Sequence, residues 1–195
     1  MKELLFTPFQ KYSESKLLVY GIVISVIGIA ISNYFNVRLD GVLDVHFAKD
    51  VIWKSTLIDS LIDISCLIVC LFIVAQLLNK KTRFVDVIVT VLIARTPVYL
   101  LSFFNVNDLL GSVSEKVLMN VSQGNSGLGS ITANEITLLA ISGMVSILIT
   151  IWYVALLYNG YKVASNAKGG KAILLFSLSL LIAEVVSKVL IYNFN

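Results

Sequence analysis

The chain has 195 residues, of which 57% are hydrophobic and only 14% charged, with a mean hydropathy of +0.89. Soluble domains carry roughly 45–50% apolar and about 25% charged residues, so no water-soluble fold could hide this surplus. A net charge of +3, carried by lysines scattered between apolar blocks, excludes the clustered basic face that binds nucleic acid.

The apolar residues come in long blocks instead of alternating, which predicts membrane-spanning helices. Rising 1.5 Å per residue, a helix needs roughly 20 apolar residues to cross about 30 Å of hydrocarbon. Five segments meet this requirement: Leu17–Phe35, Thr56–Leu78, Phe84–Phe104, Ile136–Tyr161 and Ala172–Tyr192. The expected fold is all-α, a polytopic bundle of five transmembrane helices forming one domain over residues 1–195, with the lipid bilayer as its solvent.

In chain order, the sixteen residues before the first span are mixed in charge and longer than the lead of a signal peptide, so an uncleaved first span is expected. The loop 36–55 holds the turn pair Asp40-Gly41, then Val45, Phe47, Val51, Ile52 and Trp53, and is expected to lie on the membrane interface. Only Asn79–Arg83 separates the second and third spans, which must form an antiparallel hairpin. The loop 105–135 contains a Ser/Gly/Asn-rich tip at 122–130, expected to tolerate insertion.

Orientation follows from Lys and Arg in the short loops. Lys2, Lys11, Lys16, Lys80, Lys81, Arg83, Lys162, Lys168 and Lys171 fall on the N-terminal side, against Arg38, Lys49, Lys54 and Lys116 on the other. The N-terminus is therefore expected in the cytoplasm.

Ionisable residues inside spans are costly and mark sites of interest. They are Asp59, Asp63, Asp86, Arg95, Glu184 and Lys188. Asp59, Asp63, Cys66 and Cys70 share one helical stripe, expected to face partner helices. Measured from the far end of each span at about 1.5 Å per residue, Asp63, Arg95 and Glu184 lie roughly 11, 14 and 12 Å deep. A buried network of these three is expected, with Asp59 and Lys188 nearer the far surface. Such a network could fix helix packing or carry a proton or ion. Asp86 lies near the opposite end of its helix, too far in depth to form a protease-like pair with Asp63.

Pro97 removes a backbone donor in mid-span, so a kink is expected near Arg95. Small residues recur at every fourth position: Gly21 with Ser25, Gly28 with Ser32, Ser142 with Ser146 and Thr150, and Ser179 with Ala183 and Ser187. That spacing permits close helix approach, within the chain or between copies. Asp40, Asp44 and His46 form a weak candidate metal set, without a second His or a nearby Cys. Zincin, nucleophile-elbow and phosphate-loop signatures are missing, so neither catalysis nor a cofactor is expected.

Leu5-Phe6-Thr7-Pro8-Phe9 before the first span, Ala94-Arg95-Thr96-Pro97-Val98-Tyr99-Leu100 in the third, and the stretch from Ile151-Trp152 through Lys171-Ala172 carry a resemblance. Together with five closely spaced spans they resemble the Yip family, membrane proteins named for interaction with Ypt/Rab GTPases. The chain lacks the Asp-Leu-Tyr-Gly-Pro motif and the long N-terminal region of eukaryotic members. The resemblance thus implies a bacterial inner-membrane member of undefined activity, and GTPase binding is not carried over to it. The expected function is that of a non-enzymatic scaffold or partner-binding protein, its partners being itself or other membrane proteins. The alternative is a small transporter or channel built on Asp63, Arg95 and Glu184.

Overall fold

The computed structural model describes residues 6–122, 124 and 131–194. A 3-10 turn, Pro8–Gln10, leads into α1 (Glu14–Tyr34); α2 (Trp53–Leu78) and α3 (Phe84–Ala94) form the expected hairpin. A short α4 (Thr96–Leu100) and a 3-10 stretch (Leu101–Asp108) continue into α5 (Leu109–Ser122). The chain ends with α6 (Ala133–Ser165) and α7 (Gly169–Phe194). Among the described residues, five helical runs are long and apolar enough to cross a membrane: Glu14–Tyr34, Trp53–Leu78, Phe84–Ser122, Ala133–Ser165 and Gly169–Phe194.

The apolar side chains point both ways. Val26, Leu61, Leu77, Met144, Ile147, Leu181 and Val185 are among many left largely exposed on the outside of the helices. Soluble monomers rarely show contiguous apolar patches above a few hundred Å², whereas in lipid such faces cost nothing. The chain is an integral membrane protein.

Helix α3 is the central element, packed by α1, α2 and α6, while α2 lies along α7. Close approach rests on small residues. Gly21, Ser25, Gly28 and Ser32 are the buried face of α1, and a Cβ on Gly28 would overlap the ring of Tyr99 in α4. Ser179, Ala183 and Ser187 do the same for α7. Both stripes are thus used within the chain.

Four features differ from expectation. The first part of the loop 36–55 folds inward against the helices. Val37–Arg38 pairs antiparallel with His46–Phe47, as β1 and β2. Val37, Leu39 and Val42 enter the bundle with at most 1% exposure, because burying three apolar side chains gains more than laying them flat. The third span does not run unbroken to Phe104. Helix α3 stops at Ala94, and Pro97 falls in the first turn of α4, where its missing N–H costs no hydrogen bond. Part of the expected loop 105–135 is helix α5, whose Leu110 and Val113 are buried. The tip 122–130 lies outside the described residues apart from Ser122 and Gly124. Finally, α6 is 33 residues long, overshooting the expected span at both ends. Its N-terminus is closed by a capping box between Thr132 and Glu135.

Asparagines tie the far-side connections to the helix ends. Asn36 adopts a positive φ of 54°, tolerated by a short polar side chain. It accepts from Val51 N–H at 3.1 Å and donates to Asp108 at 2.9 Å. Buried Asn105 donates to the Phe35 carbonyl (2.7 Å) and accepts from Gly111 N–H (2.9 Å). Asn33 donates to Val51 O and to Thr56, both at 3.1 Å.

Candidate functional site

The intramembrane charges gather beneath the β1–β2 hairpin in tiers. In the outermost, Lys188 of α7 bonds Asp44 of the hairpin (2.7 Å) and Glu184 one turn away (3.0 Å). Glu184 also accepts the Leu43 N–H at 2.7 Å. In the next, Arg38 of β1 grips one carboxylate oxygen of Asp59 through Nε (2.9 Å) and Nη2 (2.7 Å), and Asp59 is fully buried. The innermost is Arg95 Nη2 to Asp63 Oδ2 at 3.2 Å, with neither side chain exposed at all.

Local sequence explains the placement. Asp59 and Asp63 are one turn apart on the buried face of α2, beside Thr56, Ser60 and Cys66. Cys70, further along the stripe, is only half-buried, and both thiols are free. Arg95 sits at the α3–α4 break, with Tyr99 and Tyr153 near enough to act on its charge. A lone guanidinium at that depth would carry a large desolvation cost, and Asp63 offsets it.

The predicted trio is therefore only partly assembled. Asp63 and Arg95 meet, but Glu184 bonds the hairpin and Lys188. Its partner was set by the backbone N–H at Leu43, which no span-based reasoning contains. Glu184 still lies near enough to act on Asp63 through its charge. Asp59 finds Arg38, a partner missed because β1 was not foreseen. Asp86 pairs with Arg83 at the N-terminal side (2.7 Å), well away from Asp63.

Asp40, Asp44 and His46 are not brought together as a metal site. Among the described residues no group of three or more His, Cys, Asp or Glu is placed to hold a metal ion. Asp44 is taken by Lys188, whose hydrogen bond and charge outweigh burial and hold its carboxyl below the ordinary value. Burial, and then the charge of Asp44, push Asp40 above it. Asp40, Asp44, Arg38 and Lys188 line an open basin of about 670 Å³ with Ile191 and Tyr192. Below it, five atoms have no hydrogen-bond partner: Arg95 Nε and Nη1, Asp63 Oδ1 and the hydroxyls of Tyr99 and Tyr153.

Chemically, this arrangement can clamp helices to a hairpin. Comparison with family models, with characterised proteins and with solved structures found no match.

Proposed function

We propose that this integral membrane protein is a non-enzymatic scaffold or partner-binding protein whose intramembrane charges hold its far-side hairpin on the bundle. The observation that carries this reading is the pairing pattern. Each far-side acid in the spans shares its charge with a cation: Asp59 with Arg38, Asp63 with Arg95, Glu184 with Lys188. Two of the three tiers also bond the hairpin itself, through Arg38, Leu43 and Asp44. Charges engaged in this way stabilise one conformation, as a scaffold requires. The bias of Lys and Arg toward the N-terminal side supports a cytoplasmic N-terminus. The Yip-type resemblance of the Pro8 lead-in and the Pro97 region supports a bacterial inner-membrane setting.

One observation favours a second reading, a proton or ion pathway. The unpartnered Arg95, Asp63 and tyrosine atoms lie below a charged basin, and buried polar groups of this kind are commonly met by internal water.

Purified protein in liposomes separates the two. The scaffold reading expects no pH-gradient-driven or ion flux above that of empty vesicles, and crosslinks in the native membrane that survive Asp63→Asn but are lost on altering loops 36–55 or 105–135. Flux abolished by Asp63→Asn or Glu184→Gln would overturn it in favour of transport.

A further inference from the structure

The N-terminal half of the bundle carries a feature that the charge clasp does not use. A groove of about 470 Å³ runs between Tyr20 and Ile24 of α1, Ile93 of α3, and Trp152 and Leu156 of α6, with Tyr12 of the lead-in at its end. This volume is that of a ligand site. Helix α3 forms the groove's floor because α1 and α6 both pack on it.

Its position identifies the class of occupant. Ile24 lies ten residues into α1, about 15 Å from the helix start at 1.5 Å per residue. That depth is one leaflet, half of the roughly 30 Å hydrocarbon core. Tyr20 is 57% exposed, so the groove opens sideways into lipid. Tyr12 and Tyr20 stand near its outer end, where amphipathic rings favour the headgroup layer.

Charge supplies the second argument. Lys16, Tyr20 and Ile24 are spaced i, i+4 and i+8 on α1, so the ammonium lies on the stripe that lines the groove, one turn nearer the surface. A second hollow, of about 340 Å³, is lined by Ser15, Lys16, Val19 and Tyr20, and Tyr20 forms the wall between the two. Glu14, the nearest acid in sequence, is engaged by Arg83, and no acid among the described residues is ion-paired with Lys16, which can therefore take an outside anion.

We propose that this groove binds a single phospholipid with an anionic headgroup, one acyl chain lying along Ile24, Ile93 and Trp152 and the phosphate at Lys16 and Ser15. The lipid fixes the N-terminal lead-in against α1 and α6 from the membrane side.

Trp152 is the natural reporter, since the other tryptophan, Trp53, begins α2 at the opposite surface. In a Trp53→Phe background, the protein is titrated in mixed micelles with phosphatidylglycerol or phosphatidylcholine carrying identical brominated chains. Phosphatidylglycerol should reach half-maximal quenching of Trp152 at about fivefold lower mole fraction, the factor one lysine near a phosphate supplies. Lys16→Gln, an exposed change, should erase that difference. Ile24→Phe, which narrows the groove, should reduce quenching by both lipids. Equal quenching by the two headgroups, a preference that survives Lys16→Gln, or quenching untouched by Ile24→Phe would overturn the proposal.

Discussion

The two halves of this bundle are held together by different physics. At the far side, ion pairs and asparagine hydrogen bonds fasten a hairpin and the ends of α1 and α2 to the helices. At the N-terminal side the ion pairs of Arg83 with Glu14 and Asp86 are exposed and worth little, and shape does the same task. Phe9 and Thr90 fit against Gly160, where a Cβ would clash with both, and Asn159 donates to the Phe6 carbonyl at 2.9 Å. The contrast teaches that lipid, which removes the hydrophobic drive between helices, leaves two ways to specify a contact. One is close packing over small residues, and the other is a polar group that has nowhere else to bond.

Breaking the far side at its deepest point should cost most. Arg95→Gln leaves the Asp63 charge buried without its partner, and a loss of about 3–5 kcal/mol is expected in unfolding in detergent. Arg38→Gln removes two charge-assisted bonds from buried Asp59 and should cost about 1.5–3 kcal/mol, with the hairpin becoming protease-sensitive at Asp40-Gly41 before the helices unfold. Among the close-packed contacts, Gly28→Ala must displace Tyr99 and should cost about 1–3 kcal/mol. Gly143→Ala serves as control, since a Cβ there meets nothing. Lys188→Gln is the mildest of the clasp changes, at most about 1 kcal/mol, because the Lys188 and Asp44 side chains are half exposed.

A pH series sharpens the same comparison. The folded state holds the Asp40 proton more tightly than the unfolded chain, its carboxyl lying above the ordinary 3.8. Stability therefore falls as pH rises from that value through the folded one. Asp44, held low by Lys188, works the other way: its contribution is present above the ordinary value and fades as pH drops through the folded one. Thermal midpoints of Asp40→Asn against the parent should diverge on going from about pH 4 to pH 7, the variant being the more stable at the upper end.

Much of the fold was legible because hydropathy alone sets where a chain may cross a bilayer. The hairpin at Asn79–Arg83, the small-residue faces of α1 and α7 and the meeting of Asp63 with Arg95 followed from length, spacing and depth. What was missed has a common cause. Depth arithmetic gives a residue's height, not its direction around the helix, so Glu184 was placed level with Arg95 although it bonds Leu43. The plug formed by Val37, Leu39 and Val42 was hidden because two-residue strands leave almost no alternation to read. Asn36 and Asn105 looked like loop residues and Asn33 like the end of a span, and only the fold shows that each joins two segments.

The claim that the deep charges form a clasp is tested most directly by a double-mutant cycle in detergent: Asp63→Asn, Arg95→Gln, both together, and the exchange Asp63→Arg with Arg95→Asp. The clasp predicts large losses from the singles, a pair much less destabilised than their sum, and recovery of much of the lost stability by the exchange. Singles that leave stability nearly unchanged would contradict it, and would move the search for function to a pathway through Asp63 and Arg95.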